Sequence, residues 1–276
     1  MKLPAELWME IFRTACTDDG STGRALSLVS RYFYELSSEF KLHSIAIVGP
    51  QQLQNFADYL EKLPSYARHV RHLFISVVDD NFVKKSRLFG GTTDTNFWEE
   101  QTLHVISNIP RTSILIPISL PNLSSLTIHG PMHIYETHGD MLPVFPSLRH
   151  LTLKSFTEYP AGMLQDISTQ APSLRFLSFT LERPLRFLPF DLSRALLGKI
   201  SPAQMVPESL ICIEVQLGVG PIPHPNMWIE AARAIMIKNL WKVIEKDNRV
   251  TIVGLKQLDT YHDAHVCWLQ DTASRN

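Results

Sequence analysis

The chain has 276 residues, 45% apolar and 19% charged, with 26 Lys and Arg against 27 Asp and Glu for a formal charge of -1. This composition excludes wholesale disorder, and the even charge balance argues against the basic field of a nucleic-acid binder. Three widely spaced cysteines (Cys16, Cys212, Cys267), no run of about 18 apolar residues and no charged-then-apolar leader lead us to expect a cytoplasmic or nuclear protein without disulfides or a membrane partner.

Pro4 suits the first turn of a helix, and Glu6 lies where the helix dipole favours an anion. Leu7, Trp8, Ile11, Phe12 and Ala15 then recur on one face of a 3.6-residue period, with Glu6, Glu10 and Arg13 opposite. Residues 17–23 are turn chemistry, in which Ser21 or Thr22 can cap a second helix whose stripe is Ala25, Leu28 and Val29. A third helix is expected to carry Phe33, Leu36 and Phe40. Three helices this short bury little among themselves, so part of their apolar surface must meet something else.

The order Leu3-Pro4, Glu6-Leu7, Ile11-Phe12, then Leu26-Ser-Leu28-Val29-Ser-Arg31-Tyr-Phe33 resembles an F-box over residues 3–45. The resemblance implies a module, residues 1–45, that docks on a Skp-family adaptor and through it on a cullin. Leu3, Pro4, Leu7, Ile11, Leu28, Val29 and Phe33 would face or support that adaptor. Phe33 stands where the pattern usually has Trp, and the loop after the first helix is longer and more polar than usual.

Residues 46–276 contain a degenerate repeat. Leu123-Ser-Ser-Leu126-Thr-Ile128, Leu148-Arg-His-Leu151-Thr-Leu153 and Leu174-Arg-Phe-Leu177-Ser-Phe179 share one template, each after Pro-Asn or Pro-Ser. Residues 70–75 and 210–215 fit the same form. The template gives a short strand whose alternate side chains enter a stacked core, and about 25 residues suffice to return by a helix. Helical candidates between the strands carry Leu53, Phe56, Ala57 and Leu60; Trp98, Val105, Ile106 and Ile109; and Leu164 and Ile167. The region resembles a leucine-rich-repeat solenoid, an α/β architecture of parallel strands and connecting helices, irregular because the usual closing Asn or Cys is absent. Residues 183–208 read as an insertion or irregular connection. A long helix is expected from His224 to Asp247, with Trp228, Ala232, Ile235, Leu240 and Val243 buried; a strand follows over 249–253 and a closing helix over 263–272.

Residues able to carry catalytic or metal chemistry are scattered along the chain. His262, His265 and Cys267 fall short of the four ligands a structural metal needs, and Cys16 ends an amphipathic helix with no base to activate it. Gly218-Val-Gly220 lacks the third glycine of a dinucleotide fingerprint. Lys84-Lys85-Ser86-Arg87 reads as a solvated loop, and His69, His72 and His150 read as surface positions on strands. No cofactor, metal or catalytic residue is expected. Taken with the resemblance, the expectation is a non-catalytic substrate receptor of a cullin-type ubiquitin ligase, presenting an unknown protein target. The alternative is an interaction scaffold whose N-terminal helices only cap the repeats. Loops 79–96 and 183–208 are the expected recognition elements.

Overall fold

The computed structural model describes residues 3–76, 119–130, 144–156, 163–181, 184–185, 187–197, 206–219, 227–257 and 261–275. Three helices come first: α1 (Ala5–Ala15), α2 (Ser21–Val29) and α3 (Arg31–Ser37). Then β1 (Ser44–Val48), α4 (Pro50–Lys62) and β2 (His72–Ser76) follow, with β3 (Ser125–His129) and β4 (His150–Phe156). The remainder is α5 (Met163–Gln170), β5 (Phe176–Leu181), α6 (Leu188–Leu196), β6 (Cys212–Val219), α7 (Met227–Ile244), β7 (Val250–Gln257) and α8 (Tyr261–Arg275). The chain is α/β, and its seven strands form one wholly parallel sheet in sequence order, β1 to β7.

Each repeated motif becomes a strand by the same local physics. Pro121, Pro146 and Pro172 occupy the second position of a tight turn, closed by N–H bonds from Leu123, Leu148 and Leu174 to the carbonyls of Leu120, Phe145 and Ala171. The next strand then starts identically every time. The carbonyl of Arg71 accepts from Ser124 and Ser125, that of Ser124 from Arg149 and His150, and that of Arg149 from Arg175 and Phe176. The resulting register stacks like on like. Ile45, Leu73, Leu126, Leu151, Leu177, Ile213 and Val250 form one row across the sheet, and Ile47, Ile75, Ile128, Leu153, Phe179, Val215 and Ile252 the next. Residues of α4, α5, α6 and α7 pack with these rows into one core.

The helices and strands depart from the sequence reading at definite places. Ser21 and Thr22 do not cap α2; Gly20 holds the cap position, and the Asp18 carboxylate receives Gly20 N–H, Thr22 N–H and Ser21 Oγ–H at 2.7–3.0 Å. Phe40 lies beyond the end of α3, though it is buried. Strand β1 was not expected, and the 45/46 boundary falls inside it. Residues 183–208 are not merely irregular, because Pro189 sits in the first turn of α6, where a missing N–H costs nothing. Ile235 is exposed and Met236 is buried in its place. The candidates Trp98, Val105, Ile106 and Ile109, Lys84, Lys85, Ser86 and Arg87, and loop 79–96 lie outside the described residues, as does the side chain of Trp228. No helix among the described residues is long and apolar enough to cross a membrane.

The other sheet face carries Ser44, His72, Phe74, Ser76, Ser125, Thr127, His129 and their register partners on later strands. Over β1–β3 this face is covered, because α8 turns back and packs Ala264 and Trp268 on Phe74. His72, expected at the surface, is therefore buried. Over β4–β7 the same face is mixed: Phe176, Thr251 and Val253 are exposed, Thr180 is buried, and Phe176 stacks on His150 at 4.8 Å.

Candidate docking surface

Among the described residues, no group of three His, Cys, Asp or Glu side chains converges as a metal site. The most distinctive surface is apolar and belongs to α1–α3. These helices have a core of their own: Phe12, Cys16 and Phe40 are buried, with Trp8, Met9, Leu26, Phe33 and Leu36 packed against them. Phe33 meets Trp8 edge-on at 4.9 Å and Phe12 at 5.4 Å, and Arg13 lies over the Phe40 ring at 5.9 Å.

That packing sorts each apolar stripe into an inner and an outer half. On α1, Trp8 and Phe12 turn inward, while Leu7 at 51% and Ile11 at 47% exposure point out with Leu3 at 45%. On α2, Gly23 and Leu26 face the core, so the apolar stripe Ala25, Leu28 and Val29 lies on the outer side of the helix. Leu28 is 85% exposed and Val29 61%. Close approach explains which side of the helix is inner. A Cβ on Gly23 would lie 3.0 Å from Lys41 Cα, so only glycine lets α2 sit on the following chain. Ser30 adopts extended backbone and its Oγ accepts Phe33 N–H at 3.1 Å, which ends α2 just after Val29 and starts α3.

Of the seven candidate docking residues, Leu3, Pro4, Leu7, Ile11, Leu28 and Val29 are exposed, whereas Phe33 is half-buried in the aromatic cluster that holds the helices together. Tyr32 and Tyr34 on α3 are exposed as well and were missed, since a seven-residue helix is too short to show a stripe. The chain matches no family model, no curated protein and no solved structure.

The seam between this module and the sheet is polar and tightly bonded. The Asp19 carbonyl accepts Ala46 N–H of β1 at 3.3 Å, and Gly20 lies against the Ser44 carbonyl, which an added Cβ would approach to 3.1 Å. His43 is buried between Phe40 and His72, at 6.3 and 5.8 Å between ring centroids. Burial, then Arg71, His72, Arg13 and His69, push the His43 imidazole down to about 4, so it is neutral near pH 7. For Asp18, burial alone would raise the carboxyl, but the hydrogen bonds from Thr22, Ser21 and Gly20 outweigh it and hold it below the usual carboxylate range.

Proposed function

We propose that the chain is a substrate-receptor subunit of a Skp–cullin–F-box ubiquitin ligase, with α1–α3 as the F-box and the strand-and-helix repeats as an irregular leucine-rich-repeat-like solenoid that holds a protein target. One observation carries the reading: Leu3, Leu7, Ile11, Leu28 and Val29 are exposed on a module that already has its own core. Fully burying a leucine-sized side chain contributes about 1.5–3 kcal/mol, so five such side chains left in water suit burial against a partner. In this role the protein contributes proximity. One end binds the adaptor, the other holds the target, and the effective concentration of a target lysine near the charged ubiquitin enzyme rises. No catalytic residue is assigned, and the place of action would be cytoplasmic or nuclear.

The test is a pull-down with a purified Skp-family adaptor. Leu7→Asp and Ile11→Asp each abolish capture, because a carboxylate would be desolvated in the contact, while circular dichroism stays unchanged. Capture equal to wild type by both folded variants would sink the proposal.

A second reading, that α1–α3 only cap the sheet, draws on the Asp19–Ala46 bond and the seat of Gly20 on β1. Since β1 starts at Ser44, the discriminating truncation removes residues 1–41 and leaves the strand whole. A docking module leaves behind a folded, soluble sheet that has lost only the adaptor. A cap leaves an aggregating one.

A further inference from the structure

The chain enters β4, β5 and β6 in the same way, and all three entries lie within the described residues, over 144–150, 170–176 and 206–212. Each begins with a tight turn, over 145–148, 171–174 and 207–210, closed by one backbone bond. Beyond the turns the register sets like positions side by side. The carbonyl of Arg149 accepts from Arg175 and Phe176, and that of Arg175 from Ile211 and Cys212. One rung across the sheet therefore reads Arg71, Ser124, Arg149, Arg175, Ile211. On the next rung His72 and Ser125 are buried where α8 packs, whereas Phe176 is exposed and stacks on His150.

Arg149 and Arg175 are both exposed, on neighbouring strands about 4.8 Å apart. Like charges set opposite each other in a sheet repel. The rung holds no acid to offset them, and Glu208, exposed in the turn before β6, is ion-paired to neither among the described residues. Apolar surface flanks the pair, because Ile211 follows Arg175 on the rung and Phe176 follows it along β5, and both are exposed. The backbone donors here are already engaged: the N–H groups of Arg149, His150, Arg175, Phe176, Ile211 and Cys212 all serve the preceding strand. These residues leave no cradle of free N–H groups for a phosphate. What they offer an anion is two separate guanidinium forks.

We infer that the entries of β4–β6 form a docking surface for an acidic protein segment, in which two carboxylates meet Arg149 and Arg175 and an apolar neighbour rests on Phe176 and Ile211. Charge complementarity decides the occupant. A carboxylate matches one guanidinium fork with two parallel bonds, so two forks on separate strands suit two carboxylates better than one phosphate. In an extended segment, side chains two residues apart share a face and stand about 6.5–7 Å apart, a gap from the strand spacing that long arginine stems can close. As the seat of a ligase target, this surface rests on the receptor reading. As a binding surface it does not, since α1–α3 precede β1 at one edge of the sheet and β4–β6 lie beyond its middle.

Fluorescence anisotropy of a labelled peptide, Leu-Glu-Gly-Glu-Leu, titrated at low salt with the full chain to concentrations on the order of 100 µM, reads the outcome. Wild type binds it, and binds the same peptide with Gln for both Glu at least about tenfold more weakly. The double variant Arg149→Gln, Arg175→Gln changes only exposed side chains and weakens binding of the Glu peptide by about tenfold or more. Ile211→Ser removes apolar surface without touching charge and weakens it by a smaller factor. Circular dichroism checks that the variants are folded, and adaptor capture, which depends on α1–α3, stays as in wild type. Loss of peptide binding and loss of adaptor capture are thus separate failures, the first of this surface and the second of the ligase reading. The inference is overturned if wild type does not bind the Glu peptide, if the Gln peptide binds equally, or if the folded double variant binds undiminished. Binding only of a peptide with phosphoserine for both Glu would assign the surface to phosphate and overturn it as well.

Discussion

His43 sits at the seam of module and sheet with its Nδ1 unpartnered among the described residues, and a buried imidazole of this kind makes stability depend on pH. Its folded value is about 4; an unfolded histidine titrates near 6.5. Between those limits the unfolded chain binds the extra proton, so stability is full above about 6.5 and falls as pH drops to about 4, by ~3 kcal/mol in all. Denaturant midpoints at pH 7 and pH 4.5 measure the loss, and His43→Gln flattens most of it. A wild-type midpoint that does not move between the two would contradict this account. Cys16 gives a second residue-level expectation. Burial, then the Asp18 charge, raise its thiol to about 11, so the native protein holds it as an unreactive thiol. Alkylation at pH 8, read by peptide mass spectrometry, labels the less buried Cys212 and Cys267 first and reaches Cys16 only on unfolding. Asp18 itself is legible in the sequence as turn chemistry, but its role as the bonded support for α2 is not, because capping from outside the helix depends on a backbone path that composition does not reveal.

At the scale of the element, α2 shows why an apolar stripe does not disclose which side is buried. Ala25, Leu28 and Val29 are the more apolar face, and the helix packs by the other one. The signal lay in Gly23, whose missing side chain admits Lys41. Helix propensity alone gives Gly23→Ala a gain of about 0.5–1 kcal/mol. Contact of the new Cβ with backbone at 3.0 and 3.2 Å opposes that gain, and backbone cannot rotate away as a side-chain tip can. We expect net destabilisation, visible as a lower melting temperature. A rise in melting temperature would show that the helix shifts freely. The repeat strands, by contrast, were readable almost residue by residue, since the leucine spacing and the preceding proline turn are local. Strand β1 was missed because Ser44–Val48 lacks the leucine pair, and α6 because 183–208, rich in Pro and Leu, reads as an irregular connection although Pro189 stands at a helix start.

At the scale of the molecule, the feature no local pattern announces is the return of α8 across the sheet. Phe74 on β2 and Trp268 on α8 meet at 5.5 Å between ring centroids, with Tyr261 and His265 beside them. This cluster is separate from the main core, so α8 is held by a few aromatic contacts. His265 Nε2 and Trp268 Nε1 are buried there without partners among the described residues, and each such group subtracts about 1–3 kcal/mol. The consequence is uneven stability. Strands in this sheet pair only with their neighbours in order, and α8 contacts β2 and β3, so what α8 contributes should be felt at that end. Trp268→Ala removes a buried indole, a change that costs about 3–5 kcal/mol in a well-packed core and less where its N–H is unsatisfied. Hydrogen exchange by mass spectrometry is expected to show faster exchange in β1–β3 and α8, with β5 and β6 little changed. An increase spread evenly from β1 to β7 would mean that the whole sheet unfolds as one unit and that α8 stabilises all of it. No increase at all would mean that α8 is a passenger on a face already stable without it.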